Sequence, residues 1–206
     1  MTITAIEPKR KGLSALYIDG EFAMKLDTEV ILANRIDVGM DIDDNKLKNL
    51  IESSDIKRAK DKAMWLISYR DHAKGELIEK VKKDSSYDAA VKAVMRLEEL
   101  GLVNDERFAM RYASDLINLK HLSKKGAVRK LIEKGIDKEL ANEVVDNMDV
   151  DTDSHLKAII DKKYARYLCD EKGKRRCVNA LMRLGYSYAD IKCVLSQYID
   201  TDDYDY

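Results

Sequence analysis

The stretch Lys120–Gly135, KHLSKKGAVRKLIEKG, decides how this chain folds. It opens with Ser123, a residue type favoured at helix N-caps, and it closes with glycine, the usual residue just past a helix end. Between these two signals the apolar residues recur at helical spacing: Ala127, Val128 and Leu131. The stretch therefore predicts a short amphipathic helix, with lysine and arginine around a narrow apolar stripe.

The same plan occurs fifty residues later in GKRRCVNALMRLG, residues 173–185, and more loosely fifty residues earlier in AKGELIEKVKKDS, residues 73–85. Other apolar positions share this period: Val91/Ala141/Ile191, Val94/Val144/Val194, Met95/Val145/Leu195 and Ala59/Ala109/Ile159. A period of this size is typical of stacked helical units that bury their apolar faces partly on their neighbours. We predict a mainly α fold with three tandem three-helix modules, at residues 54–103, 104–153 and 154–206, the last ending in an acidic tail.

Residues with N-cap chemistry recur where the helices of each module are expected to begin. Ser54, Asn104 and Ser154 occupy one repeat position and predict the starts of the first helices. Asp137 and Ser187 predict the starts of third helices in the second and third modules.

The N-terminal residues 1–53 have a different pattern and predict a small separate β-hairpin and short-helix region. Three β-rich runs are expected to form strands: Ile3–Ile6, Leu13–Ile18 and Glu21–Leu26. Asp19-Gly20 predicts a two-residue hairpin turn between the last two of them. Thr28 is expected to cap one short helix, and Asp43 or Asp44 another that ends near Ile51.

The composition limits the class of protein. Lysine and arginine (37) nearly balance aspartate and glutamate (38), so the net charge of −1 does not indicate which kind of partner the protein binds. No apolar run approaches the roughly 18 residues that span a membrane. The first residues, MTITAIEPKRKG, lack the apolar segment of a signal peptide. We expect a cytoplasmic protein that does not enter the membrane.

No residue pattern indicates catalysis, a metal site or a cofactor. The cysteines Cys169, Cys177 and Cys193 have neither zinc-site nor disulfide-framework spacing, and Cys177 falls on the apolar stripe, which predicts a buried side chain. The three histidines form no ligand motif and are expected to be solvated near helix ends. A phosphate-binding loop and a nucleophile elbow are both missing from the sequence. We predict a protein that is not an enzyme.

Basic residues of the second helices are the candidate partner- or DNA-binding residues. They are Lys74, Lys124, Lys125, Arg129, Lys130, Lys174, Arg175 and Arg176. Lys74, Lys124 and Lys174 share one repeat position, predicted in the first turn of each second helix, where the helix dipole disfavours a cation by about 0.3–1 kcal/mol. Inheritance from an ancestral module, or chance in a lysine-rich chain, is one explanation. The other is that these lysines face an acidic partner.

Several segments resemble the RecX family of regulators of the RecA recombinase. The resemblance rests on four groups of residues in this order: Arg70…Glu76-Leu77; GLVNDERFA at residues 101–109; Gly126…Leu131…Lys134-Gly135-Ile136; and LMRLGYSY at residues 181–188 with Ile191. The hairpin at Ile18–Glu21 is similar to the extension of the longer family members. One departure is Ala73, where the family usually has a capping serine.

This resemblance implies an elongated, curved array of three-helix modules. It implies a non-enzymatic monomer that lies in the helical groove of the RecA–DNA filament, inhibits ATP hydrolysis and strand exchange, and promotes disassembly of the filament. Weak, sequence-independent contact with DNA is a further expectation. A repeat array suits a repetitive target, because several weak contacts act together as one strong attachment.

Two alternatives stay open at this point. A helix-turn-helix-like DNA-binding protein is favoured by the basic clusters, although acidic residues are nearly as numerous as basic ones. A general helical scaffold for another protein is compatible with any such repeat. A steep salt dependence of a tight, sequence-selective affinity for naked DNA distinguishes the DNA-binding protein from the filament regulator.

Overall fold

The computed structural model describes residues 1–199 and confirms a mainly helical fold with a small N-terminal antiparallel sheet. The predicted acidic tail at residues 200–206 lies outside the described residues. The chain divides into two compact units, Met1–Asn104 and a second unit that begins at Asp105.

The first unit opens with a three-stranded sheet of β1 (Ile3–Pro8), β2 (Leu13–Ile18) and β3 (Glu21–Asp27), in the order β1-β2-β3. Asp19 and Gly20 both have positive φ, 50° and 90°, as a two-residue turn with the twist of a hairpin requires. The predicted hairpin is therefore confirmed. One face of the sheet contributes Ile3, Leu16 and Leu26 to a hydrophobic core.

Two helices follow the sheet; the first begins one residue before the prediction, and the second begins after one of its two predicted caps. Helix α1 (Thr28–Ala33) is capped by Asp27 rather than by Thr28, because the Asp27 carboxylate accepts the N–H groups of Glu29 and Val30. Helix α2 (Asp44–Tyr69) is capped by Asp43 and runs without interruption for 26 residues. The predicted break near Ile51 and the predicted helix start after Ser54 are wrong.

Ser54 explains the error, because its hydroxyl has a partner outside its own helix. The side chain is buried in the middle of α2 and accepts the backbone N–H of Asp27 at 2.7 Å. It therefore ties the end of β3 to α2 instead of capping a helix. The boundary expected between residues 53 and 54 falls within α2, whose Leu50 packs in the sheet core while Ala59 packs in the next core.

Helices α3 (Lys74–Val81) and α4 (Tyr87–Glu99) pack with the second half of α2 as the first three-helix set. Their core contains many alanines, which let the helices approach closely; among them are Ala59, Ala63, Ala90 and Ala93. The same core also contains Leu77, Val81, Val94 and Leu97. Ala73 stands at the N-cap of α3 and makes no side-chain hydrogen bond to the helix. The missing cap expected from the sequence is therefore confirmed.

The second unit begins with α5 (Asp105–Ser114), α6 (Lys124–Glu133) and α7 (Lys138–Asp146). Ser123 caps α6 by accepting the Gly126 N–H at 3.0 Å, and Asp137 caps α7, so both predicted caps are confirmed. An unpredicted feature is a π-helical turn, Asp115–Leu119, that continues α5.

The third set contains α8 (Thr152–Lys163), α9 (Glu171–Arg183) and α10 (Tyr188–Ile199), with a short 3₁₀ turn, Ala165–Tyr167, after α8. Asp151, not Ser154, caps α8, because the Asp151 carboxylate accepts the Ser154 N–H at 3.0 Å. Asp170 caps α9 one turn earlier than the repeat predicts. Cys177 is fully buried in the core of this set, as expected.

Within the second unit, the N-terminus of α6 packs against the turn between α9 and α10. The Leu184 carbonyl accepts the Ser123 N–H at 3.1 Å, and the Tyr186 hydroxyl donates to the His121 carbonyl at 3.0 Å. The ring of His121 meets that of His155 edge to face, with centroids 5.7 Å apart. The Nδ1 atoms of both histidines are buried, although each residue is partly exposed, so the expected solvation holds for only part of each side chain.

Candidate functional site

Lys74 and Lys124, the first residues of α3 and α6, each reach the end of the third helix in their own set. The Lys74 ammonium lies 2.9 Å from the Glu98 carboxylate, and Lys124 donates to the Asp146 carbonyl at 3.2 Å. These acceptors offset the unfavourable dipole at a helix N-terminus. The repeat position therefore has a role inside the fold, which sequence reasoning did not foresee.

Lys174 differs from the other two lysines. Because Asp170 caps α9 early, Lys174 is the fourth residue of this helix, and the prediction that it lies in the first turn is wrong. Its ammonium pairs with Glu171, the first residue of α9, at 3.0 Å. The helix dipole favours a glutamate at the first position of a helix. The extra turn at the start of α9 therefore gives Lys174 a partner within its own helix, whereas Lys74 and Lys124 contact the third helix of their set.

The other candidate residues lie on the surfaces of α6 and α9. Lys125, Arg175 and Arg176 are exposed. The Arg129 guanidinium donates to the Arg183 carbonyl at 3.3 Å. Lys130 lies 2.5 Å from Glu133, and this contact lowers the pKa of the Glu133 carboxyl. Their contact with a partner stays a prediction.

A cluster around Glu76 in the first unit was not foreseen from the sequence. The Glu76 carboxylate lies 2.7 Å from Arg70, 3.1 Å from Nδ1 of His72 and 3.4 Å from Lys80. The His72 side chain is almost completely buried, and burial lowers its pKa although the hydrogen bond to Glu76 opposes the shift. The imidazole is therefore neutral at pH 7.

A second unforeseen feature is a pocket of about 420 Å³ beside the π turn in the second unit. We call it the Tyr112 pocket; it is lined by Tyr112, Leu116, Leu122, Lys120, Lys130 and Lys134, with Glu133 beside them. The ammonium groups of Lys120 and Lys134 lie 5.8 and 6.0 Å from the centroid of the Tyr112 ring. A signal was available in the repeat, because Lys120 and Lys130 occupy the positions of Arg70 and Lys80.

Other chemistry finds little support in residues 1–199. No group of three or more histidine, cysteine, aspartate or glutamate side chains in this range is arranged to hold a metal ion. Burial raises the pKa of the Cys177 thiol to about 11, so this side chain stays a thiol and does not act as a nucleophile. Across the same residues, every helix is too short or too polar to cross a bilayer.

The amino-acid sequence is similar to one protein-family model and to several named proteins. The family model described as "RecX, second three-helix domain" matches residues 104–145. A relative named "Regulatory protein RecX" from Clostridioides difficile is 26% identical over 208 residues, covering 98% of both chains. Its namesake from Clostridium acetobutylicum is 28% identical over 209 residues, covering 95% of both chains.

Solved structures agree in fold. One described as "Crystal structure of regulatory protein RecX" aligns with a TM-score of 0.65 and 20% identity, covering 94% of this chain and 98% of its own. That of RecX from Lactobacillus salivarius aligns with a TM-score of 0.60 and 22% identity, covering 71% and 98%. The family model, the full-length relatives and the shared fold agree, and the chain is similar to the RecX regulatory proteins over nearly its whole length.

Proposed function

We propose that this protein is a non-enzymatic, cytoplasmic regulator that binds the RecA–single-stranded DNA filament along its helical groove. There it inhibits ATP hydrolysis and strand exchange and promotes disassembly of the filament. The observation that carries the proposal is the match to relatives named "Regulatory protein RecX" over nearly the full length of both chains. The function implied by the family resemblance therefore concerns the whole chain and not one module.

The helical sets support a mechanism without chemistry. Three sets in tandem present several separate surfaces to a target that repeats along its axis, so weak individual contacts combine into one attachment. A ligand that binds one filament state better than another shifts the population toward that state. Inhibition of ATP hydrolysis then requires only a preference for a filament conformation that hydrolyses ATP slowly.

The contacts that we propose are electrostatic and lie on the second helices. Lys125, Arg175 and Arg176 are exposed and present their charge to solvent. Lys74, Lys124, Arg129, Lys130 and Lys174 have acceptors within the fold. These acceptors are at the surface, where an ion pair is worth only about 0–1 kcal/mol, so an acidic partner can compete for the cations.

The alternative of a helix-turn-helix-like DNA reader is less well supported. In three-helix readers the third helix enters the major groove, where it meets phosphates. Helix α7 carries one basic residue, Lys138, against three acidic ones, Glu139, Glu143 and Asp146. Helix α4 carries two basic residues against three acidic ones. The excess of acidic residues on α4 and α7 disfavours this mode of binding in the first two sets.

The test is ATP hydrolysis by RecA on single-stranded DNA, measured with increasing amounts of this protein, together with electron microscopy of the same samples. We expect a fall in ATP hydrolysis and shorter or fewer filaments. Unchanged hydrolysis and unchanged filament length at a molar excess of the protein contradict the proposal. Sequence-selective binding to naked duplex DNA in a parallel titration favours the DNA reader instead.

A further inference from the structure

We propose that a groove between α5 and α7, in the second unit, binds a basic amphipathic helix of a partner protein. We call this surface the α5–α7 groove. It is separate from the contacts of the proposed function, which are cations on the second helices, and its chemistry is the opposite. The groove has an apolar floor and carboxylates at its rim.

The floor of the α5–α7 groove is apolar and adaptable. It consists of Met110 from α5, Leu140 and Val144 from α7, and Met148 just after α7. Met110 is 51% exposed and Leu140 and Met148 are half-buried, so an incoming apolar side chain can reach them. Methionine is flexible and polarizable, and it is common on surfaces that adapt to different apolar partners. The volume of about 530 Å³ lies within the range of roughly 300–1,000 Å³ for binding pockets.

The rim of the groove carries negative charge. Glu106 and Glu143 line it, and both side chains are exposed. The described residues that line the groove include these two carboxylates and no lysine or arginine. A cation of a partner can therefore approach both carboxylates, whereas the phosphates of a polynucleotide or of anionic lipid are repelled.

The helix dipole explains only one of the two glutamates. Glu106 lies in the first turn of α5, where negative charge is favourable. Glu143 lies in the last turn of α7, which contains no basic residue and ends at Asp146. The dipole disfavours a carboxylate there by about 0.3–1 kcal/mol. The charge of Glu143 thus works against its own helix, which points to a role outside that helix.

The first helical set shows that the fold does not need a groove at this place. Leu140 and Glu143 occupy the repeat positions of Ala90 and Ala93, which are buried in the core of the first set. The small alanine side chains let α4 approach α2 closely. The larger side chains of α7 leave open space beside α5 instead.

Glu106 stands where both other sets have an apolar residue. Ile56 packs against the core of the first set, and Leu156 is fully buried in that of the third. A glutamate at this position gives up an apolar contact and adds negative charge to the groove that exposed Met110 lines. Negative charge beside an apolar floor is complementary to a segment that combines apolar and basic side chains.

A helix fits this groove better than an extended strand does. The groove lies between helices of 10 and 9 residues, each roughly 15 Å long. Amphipathic helices bind such grooves through apolar residues at positions i, i+3, i+4 and i+7. Addition of a strand requires the unpaired backbone of a sheet edge, which helices do not offer along their length.

Binding of fluorescent helical peptides to the full-length chain, followed by anisotropy, tests the proposal. The basic amphipathic peptide has a leucine stripe flanked by lysines; one matched peptide has serine for leucine, and the other has glutamate for lysine. The variants are Glu106→Gln/Glu143→Gln for the rim and Met110→Gln for the floor. The control, Glu21→Gln/Glu52→Gln, removes the same charge as the rim variant from exposed positions of the first unit. Circular dichroism melts establish that all four proteins are folded.

We expect the parent to bind the basic amphipathic peptide more tightly than either matched peptide. The rim variant should bind it roughly fivefold more weakly at low salt, as loss of two exposed ion pairs predicts, and the difference should shrink at high salt. Met110→Gln should also weaken binding roughly fivefold, because about half of an apolar side chain loses its buried contact. The control should bind within about twofold of the parent, since the lining of the groove is unaltered.

Three results overturn the proposal: variants that bind like the parent, equal binding of the serine peptide, or no binding of the basic peptide. A parent that dimerises in sedimentation and binds no peptide, while Met110→Gln is monomeric, assigns the groove to a second copy and also overturns it. RecA ATP hydrolysis is a separate readout. A parent that binds the peptide and leaves RecA active contradicts the proposed function alone, and a parent that inhibits RecA without binding the peptide contradicts the groove proposal alone.

Discussion

The backbone of Gly126 lies directly against the carbonyl oxygen of Leu184, with no room for a side chain between them. The same carbonyl accepts the N–H of Ser123, which caps the helix that contains Gly126. One turn of the third helical set therefore fixes the start of α6 in the second set by contact and by hydrogen bond. The joint depends on a glycine inside a helix, where glycine is otherwise unfavourable by about 1 kcal/mol.

Gly126→Ala is expected to destabilise the protein, although alanine is the better helix former. The added methyl group meets backbone rather than a flexible side chain, and overpacking of this kind costs about 1–3 kcal/mol. Chemical denaturation followed by circular dichroism measures the change. The matched control is Lys125→Ala on the same turn, which is exposed and should stay within about 0.5 kcal/mol of the parent. A more stable Gly126→Ala protein contradicts the described packing.

Helix starts were predictable from the sequence where only one residue had capping chemistry. Ser123 and Asp137 are such cases, and both cap as expected. Where two candidates stand close together the sequence does not choose between them. At Ser154 the competing Asp151 forms the cap, because its carboxylate accepts the Ser154 N–H and Ser154 therefore lies inside the first turn of α8. The prediction for Ser54 is wrong for another reason, since the group that its hydroxyl binds, the N–H of Asp27, is 27 residues away in the chain.

Leu131→Ala and Leu181→Ala should each cost about 2–5 kcal/mol, because each removes a fully buried side chain and leaves a cavity. The two leucines occupy the same repeat position in α6 and α9. Their chain neighbours Ile132 and Met182 are 42% and 48% exposed, so the corresponding alanine variants are matched controls with losses below about 1 kcal/mol. Losses below 1 kcal/mol at both leucines would be incompatible with the shared register of the repeat.

Acidification should weaken the first unit through His72. Burial lowers its pKa in the folded state, so as pH falls below about 6.5 the unfolded chain takes up a proton before the folded chain does. Stability is therefore complete above that pH and decreases below it. The single tryptophan, Trp65, lies in α2, and its fluorescence follows urea unfolding of this unit at pH 7.5 and 5.5.

The matched variant is His72→Leu, since Leu122 occupies the repeat position of His72 in the second set. We expect a smaller loss of stability between the two pH values than in the parent. The absolute stability at pH 7.5 is not the readout, because the variant also removes the hydrogen bond to Glu76. An equal loss in both proteins shows that other groups carry the pH dependence.

The candidate site was predictable only in part. The spacing of Lys74, Lys124 and Lys174 identified one repeat position, but their acceptors, Glu98, the Asp146 carbonyl and Glu171, depend on tertiary contacts and on the extra turn of α9. The Tyr112 pocket brings together side chains from α5, the segment after the π turn, and α6. No local pattern predicts that convergence, because the π turn has no sequence signature.

The three repeat lysines are expected to contribute to filament binding without being needed for the fold. The test variant is Lys74→Gln/Lys124→Gln/Lys174→Gln. Glutamine is preferred to glutamate because the Lys74 side chain lies beside Glu98, which would repel a second carboxylate. The lost contacts are at the surface, so circular dichroism and thermal melts should show a protein within about 1–2 kcal/mol of the parent.

At about 0.5 kcal/mol for each exposed ion pair, loss of three contacts with the filament weakens binding roughly tenfold at low salt. The concentration for half-inhibition of RecA ATP hydrolysis should rise accordingly, and the difference from the parent should shrink at high salt as charges are screened. The control, Lys48→Gln/Lys92→Gln/Lys138→Gln, changes the same net charge at exposed positions and should inhibit like the parent. If the test variant inhibits as strongly as the control at low salt, these lysines serve the fold alone and the filament meets another face.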